Sequence, residues 1–199
     1  MIFFKNITRI KLILQKNYDM TENNPILQTE RLIVRPVEDS DIDFVYKAFS
    51  NPKVTKFLTV SYPDLEATKE QMEWYKHLKN KKLGYWWVIC DKNSEKKLGA
   101  CGFSNHQKNH QKTEAGYWLL PENWGKGYIA EAFGEICKYA FENLSINRIE
   151  CIIEPENSNS KKIMGKLNFQ LEGRLRQAEK VNDDFIDLEY YSLLKQDFH

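Results

Sequence analysis

"PENWGKGYIAEAFGEICKYAF", residues 121–141, decides how this chain is read. From Ile129 onward its apolar residues recur at helical spacing. Yet Gly125 and Gly127, on either side of Lys126, stand where that helix should begin. Glycine inside a helix costs about 1 kcal/mol relative to alanine. A strand ending in "WLL", a glycine-rich turn and an amphipathic helix together make an anion seat. The first amides of a helix have no internal partner, and the helix dipole adds partial positive charge there. Glycines let a ligand approach that backbone with no Cβ in the way. Lys126 can add a direct charge contact. The turn is not a P-loop, since G-x-x-x-x-G-K-[ST] is absent. Nor is it the dinucleotide fingerprint, because Ala130 occupies the third glycine position.

The surrounding chain supplies elements of both periods. "RLIVRPV" (31–37) and "RIECIIEP" (148–155) read as strands, and "GYWWVICD" (84–91), "KKLGACGFSN" (96–105) and "TEAGYWLL" (113–120) as a meander. Helices are expected over 40–51, capped by Ser40 with Asp43 three residues on, over 64–80, over 126–143, and over 157–167, capped by Asn157 or Ser158. Residues 169–194 close the chain as a hairpin turning at "VNDD". The fold class is α/β of the α+β kind: one domain over 27–199, built on a mixed sheet. Residues 1–26 form an N-terminal extension. Its run "IKLIL" is too short to span a membrane, is broken by Lys11 and lacks a cleavage site. "TENNPILQTERLIVRP" after Met20 looks like a natural opening, so translation is expected to begin at Met20. A native N-terminal peptide upstream of Met20, found by mass spectrometry, would refute that.

Composition excludes several classes. With 29 basic and 28 acidic residues the net charge is +1, which argues against a general nucleic-acid binder. Cys90, Cys101, Cys137 and Cys151 form no C-x-x-C pair and lie in apolar runs, so we expect a reducing, cytoplasmic setting without disulfides or a metal site. His106 and His110 fall in a polar segment read as a surface loop.

Three ordered stretches carry a family resemblance: "TERLIVRP", "EAGYWLLPENWGKGYIAEA" and "EPENSNSKKIMGKLNFQLEGRLR". With them, residues 31 to about 198 resemble the Gcn5-related N-acetyltransferases (GNAT), in particular the ribosomal-protein N-terminal (RimJ/RimL-like) branch. The family's pyrophosphate motif, Gln/Arg-x-x-Gly-x-Gly/Ala, reads here Glu122-Asn123-Trp124-Gly125-Lys126-Gly127. Glu122 departs from it, at little cost, because backbone amides do most of the binding. The resemblance implies a splayed, mostly antiparallel sheet with helices on both faces. Acetyl-coenzyme A would lie in the V between the strand ending at Leu120 and the strand around Ile152. Leu119 and Leu120 would pair with pantetheine, and the amides of Trp124, Gly125, Lys126, Gly127, Tyr128 and Ile129 would seat the pyrophosphate.

Acetyl transfer to nitrogen needs a neutral amine, a proton acceptor and a stabilised oxyanion. By resemblance Glu114 is the base, through water. Glu150 and Glu154 are runners-up, and a solvent-facing strand glutamate is the plain alternative. The family's usual acid is a tyrosine that here falls at Met164, which cannot donate a proton. The pattern Asn157-x-x-Ser160 instead resembles the ribosomal-protein branch, with Asn157 at pantetheine and Ser160 near the sulfur. Otherwise Ser160 is a first-turn helix serine bonded to backbone. Asn168, in place of a glycine, is expected in the left-handed region. Trp86, Trp87, Tyr117, Trp118 and Trp124 divide between core and acceptor cleft. The implied function is transfer of acetyl from acetyl-coenzyme A to a protein N-terminal α-amine. The alternatives are a small-molecule amine acceptor (polyamine, amino acid or antibiotic) or a non-catalytic coenzyme A-binding module. Neither a nucleic acid nor a membrane is expected as partner, and the sequence carries no signal for oligomeric state.

Overall fold

The computed structural model describes residues 25–181 and 183–199, so the expected start at Met20 lies outside the described residues. The chain runs β1 (Leu27–Gln28), β2 (Leu32–Pro36), α1 (Ile42–Phe49), α2 (Pro52–Thr55), α3 (Leu65–Asn80), β3 (Tyr85–Asp91), β4 (Lys97–Gln107), β5 (Lys112–Leu119), α4 (Tyr128–Asn143), β6 (Arg148–Ile153), α5 (Ser158–Lys166), β7 (Gln170–Val181) and β8 (Asp184–Leu194). One sheet holds all eight strands in the order β1-β2-β3-β4-β5-β6-β8-β7. Every pairing is antiparallel except β5 with β6. That parallel pair joins only Lys112, Thr113 and Glu114 to Arg148, Ile149 and Glu150. Beyond Glu114 the two strands part, and this is the V of the splayed sheet.

Two apolar layers sandwich the sheet. On one side α4 buries Ile129, Ala132, Phe133, Ile136, Cys137, Ala140 and Phe141, the i, i+3, i+4, i+7 stripe of an amphipathic helix. They meet Trp87, Cys101, Phe103, Ile149 and Cys151 of the strands. Each fully buried large side chain contributes about 1.5–3 kcal/mol. On the other side α1 and α3 bring Val45, Phe49, Met72 and Tyr75 against Ala100 and Trp118. Strand alternation therefore sends Glu114, Gly116 and Trp118 toward α1 and α3, and Ala115, Tyr117 and Leu119 toward α4.

Several local readings are corrected. Residues 40–51 do not start at a Ser40 cap: a 3₁₀ turn covers Asp39–Asp41, and Asp41, not Asp43, accepts the Glu38 amide at 2.9 Å. Asp41 faces inward, fully buried, because Arg35 (2.8 and 2.7 Å) and Lys97 (2.6 Å) surround its carboxylate. The helix at 126–143 begins at Tyr128, because Gly127 is its left-handed cap. The strand at 148–155 ends at Ile153, and β4 runs through His106 to Gln107, so His106 is a half-buried strand residue. Short β1 and α2 were not anticipated, although Asn51-Pro52 is a cap-and-N1 signal. Asn168 does adopt the left-handed conformation, at φ 60°.

Burial alone would raise the Asp41 pKa, but its bonds to Arg35, Lys97 and the Glu38 amide outweigh it and hold it at about 2. Its unfolded value is near 3.9. The lowered folded pKa makes this stabilisation complete above about pH 4–5 and lost as pH falls toward 2. Asp41→Asn should cost about 3 kcal/mol in urea unfolding at pH 7, since it leaves Arg35 and Lys97 uncompensated. The difference from wild type should shrink below pH 4. A loss under 1 kcal/mol at pH 7 would contradict this account of the cluster.

Candidate active site

Gly125 and Gly127 have φ of 74° and 81°, the left-handed region that glycine enters without cost. A Cβ at Gly125 would meet nothing within 4 Å, and at Gly127 only Arg31 Nη2 at 3.5 Å, so the space over this turn is open. Lys126 and Trp124 are exposed, while Ile129 is buried and anchors the first turn of α4. The first amides of α4, from Tyr128 and Ile129 onward, have no intrahelical partner. Among the described residues none of the Gly125, Lys126 and Gly127 amides donates to another backbone group. The Trp124 amide is different. It donates to Pro121 O at 3.1 Å, so the amide floor begins at Gly125, one residue later than expected.

The turn is clamped from a distance. Arg31 Nη1 donates to Lys126 O at 3.1 Å, and its guanidinium lies 4.9 Å from the Tyr128 ring centroid. Arg31 Nε and Nη2 both reach Glu131 Oε2 at 2.7 Å, and the Arg31 amide donates to Glu131 Oε1 at 2.9 Å. Arg31 was visible only as part of "TERLIVRP". Its partners lie about a hundred residues away, and no local pattern announces them.

The edge of β5 facing the V is partly committed. Leu120 donates its amide to Leu98 O at 3.0 Å, and its carbonyl accepts the Asn123 amide at 2.9 Å. Both Leu120 backbone groups are therefore occupied. Leu119 points its amide the other way, toward the V, while its carbonyl accepts the Trp124 indole N–H at 2.9 Å. Of the two residues expected to pair with pantetheine, Leu119 offers the amide.

Glu114 stands at the fork, in register with Glu150, and accepts from Asn105 Nδ2 at 2.6 Å. Asn105 is itself left-handed, at φ 50°, beside an irregularity in the β4–β5 ladder that follows Ser104. Glu150 is bound by Lys112 (3.1 Å) and Arg148 (2.7 Å). Burial pushes its pKa up, but these cations more than reverse that and leave it low. Glu154, past the end of β6, moves the other way: burial, then Glu156 and Glu179, raise it. On α5, Asn157 Oδ1 accepts the Ser160 amide at 3.1 Å and caps the helix. Met164 is fully buried.

Of the aromatic set, Trp87 and Trp118 are core, Trp124 is 43 % exposed, and Trp86 and Tyr117 sit between. Among the described residues the buried Trp86 indole N–H has no partner. Trp86 also borders a cavity of about 190 Å³ lined by Pro36, Met72, Tyr75 and Lys79 among others; no nominated catalytic or cofactor residue lines it. Among the described residues no His, Cys, Asp and Glu cluster could hold a metal, and no helix is long and apolar enough to cross a membrane.

A sheet that splays between β5 and β6, with an open, left-handed glycine turn leading into a helix at its mouth, defines an N-acetyltransferase of the coenzyme A-dependent kind. The chain belongs to the acetyltransferase (GNAT) domain family, whose model matches residues 31–170. It is an acetyl-coenzyme A-dependent acyltransferase, with acetyl-coenzyme A as co-substrate. It is 35 % identical over 173 residues to the uncharacterized N-acetyltransferase p20 of Bacillus licheniformis, covering 86 % of this chain and 97 % of that one. Two solved structures share the fold at a TM-score of 0.76 each. One is spermidine N-acetyltransferase from Vibrio cholerae in complex with CoA and spermine, at 19 % identity, covering 85 % of this chain and 98 % of that one. The other is RimL, the ribosomal L7/L12 α-N-protein acetyltransferase, in complex with coenzyme A, at 20 % identity, covering 85 % and 97 %.

Proposed function

We propose that this enzyme acetylates the N-terminal α-amine of a protein, in the cytoplasm, with Glu114 as base through water and Ser160 hydrogen-bonded to the departing sulfur. The pyrophosphate rests on the amides from Gly125 to Ala130, and pantetheine runs along β5 at Leu119 with the Asn157 NH₂ beside it. The observation that carries the acceptor is the charge state of the fork. Glu114 is partnered by a neutral amide, whereas Glu150 beside it is neutralised by Lys112 and Arg148. Several other acids are similarly offset: Asp39 by Lys76, Asp41 by Arg35 and Lys97, Glu172 by Arg148, and Asp187 by Arg174. At the fork itself Glu114 is the one carboxylate not held by a cation, which suits a single amine better than a polycation. The four buried free thiols fit a reducing compartment.

The nucleophile adds to this. An α-amine has a reference pKa near 8, so about one in ten is neutral at pH 7, against about one lysine side chain in 2,500. That is about 3 kcal/mol in preparing the attack. A site with one modest base and no tyrosine at the usual acid position matches the easier amine. Peptides with a free N-terminal Ala or Ser should therefore be acetylated faster than spermidine or free lysine, in initial rates at equal concentration and pH 7. Spermidine outrunning every peptide would overturn the acceptor while leaving the acetyltransferase intact. A small-amine acceptor is the second reading, favoured by the likeness to the spermidine enzyme.

A further inference from the structure

The Tyr117 hydroxyl is buried and makes no hydrogen bond among the described residues. Buried polar groups are paired in nearly every case, so an unpaired one calls for a reason. The ring itself is well held. It packs edge-on against Phe133 with centroids 5.2 Å apart, and Phe133 stacks on Phe169 at 5.9 Å. Strand alternation places Tyr117 on the α4 side of β5, two residues from Leu119 and beyond the fork at Glu114. Its hydroxyl has Cys151 of β6 and Ser160 of α5, on the other side of the V, as neighbours, Ser160 near enough to act on it as a hydrogen-bonding group. Burial pushes the phenol well above its usual range, and Ser160 beside it pulls partly back. The phenol thus stays protonated and can act only as a donor toward an anion. Ser160 lies in the first turn of α5, where the helix dipole also favours negative charge. Its hydroxyl bonds no backbone group among the described residues.

We infer that Tyr117 is a positioning residue for the leaving group: once coenzyme A is bound, its otherwise unpaired hydroxyl donates to Ser160 Oγ, so that the Ser160 hydroxyl donates to the coenzyme A sulfur. As the tetrahedral intermediate collapses, the carbon–sulfur bond breaks and its electron pair stays on sulfur. The two hydroxyls stabilise that thiolate as a chain in which each bond polarises the next. No proton leaves Tyr117; the thiolate is protonated by water after release. A hydroxyl pair spanning β5 and α5 thus takes over the task left vacant by Met164. This inference rests on Ser160 facing the sulfur and is independent of which amine is the acceptor.

The test is a double-mutant cycle with Tyr117→Phe and Ser160→Ala, assayed by thiol release with saturating acetyl-coenzyme A and the fastest acceptor found. Tyr117→Phe should lower kcat about tenfold, leave KM for acetyl-coenzyme A within twofold, and melt no lower than wild type, because the ring contacts stay and an unpaired hydroxyl goes. In a Ser160→Ala background the same change should cost less than twofold. A merely structural Tyr117 would lower the melting temperature or KM would move with kcat, and either result overturns the inference. Full additivity of the two losses overturns it as well. If Ser160→Ala alone leaves kcat unchanged, the Ser160 reading fails and this inference with it; if Ser160→Ala is slow but Tyr117→Phe is not, only this inference fails.

Discussion

Gly127→Val should raise KM for acetyl-coenzyme A about 30-fold or more. At φ 81° a branched side chain is strained wherever it points, at a cost of about 1–3 kcal/mol. Its Cβ would also enter the space between the amide floor and Arg31, whose Nη2 lies 3.5 Å from that position. The helix itself should persist, since the apolar stripe of α4 is untouched. The effect belongs in KM, with a kcat change below threefold, because the pyrophosphate lies far along the cofactor from the thioester. Gly127→Ala should be intermediate, being strained but without the branch. An unchanged KM for the valine variant would place the phosphates elsewhere.

Glu114→Gln should lower kcat about 10²-fold at pH 7, or about 2.7 kcal/mol of transition-state stabilisation. Glutamine keeps the size and can still accept from Asn105, so the fork stays in place while the proton acceptor is lost. Glu150→Gln should cost less than threefold in kcat, because Lys112 and Arg148 already hold that carboxylate in its ionised, occupied state. It should instead destabilise the fold modestly by releasing two cations. Glu154→Gln discriminates further. A loss there near 10²-fold, with Glu114→Gln near wild type, would move the base to the far arm of the V, where the raised pKa of Glu154 would serve it.

Much of this is legible in the amino-acid sequence, and the reason is physical. The glycines at 125 and 127 violate helix propensity so clearly that only a backbone need explains them, and both do stand left-handed at an open turn. The strands, α3, α4 and the closing hairpin follow period and punctuation, which are local properties. What stayed hidden depends on long-range pairing. The parting of β5 from β6 after three residues is a matter of register, to which alternation is blind, and the V was expected through the family resemblance alone. Leu120 looked equivalent to Leu119 until its two backbone groups were seen bonded to Leu98 and Asn123. Arg31 could not be tied to the cofactor turn, because its partners Lys126 and Glu131 lie far along the chain. Tyr117 read simply as one of five aromatics, since only packing shows which hydroxyl is left without a bond.

The central claim is that acetyl-coenzyme A lies in the V between β5 and β6 with its phosphates on the glycine turn. The most direct test is a crystal structure of the protein grown with coenzyme A. The account predicts pyrophosphate oxygens within hydrogen-bond distance of the amides from Gly125 to Ala130, a pantetheine carbonyl accepting the Leu119 amide, and the sulfur at Ser160. Coenzyme A bound outside the V, or in it with its phosphates away from residues 125–130, would contradict the account.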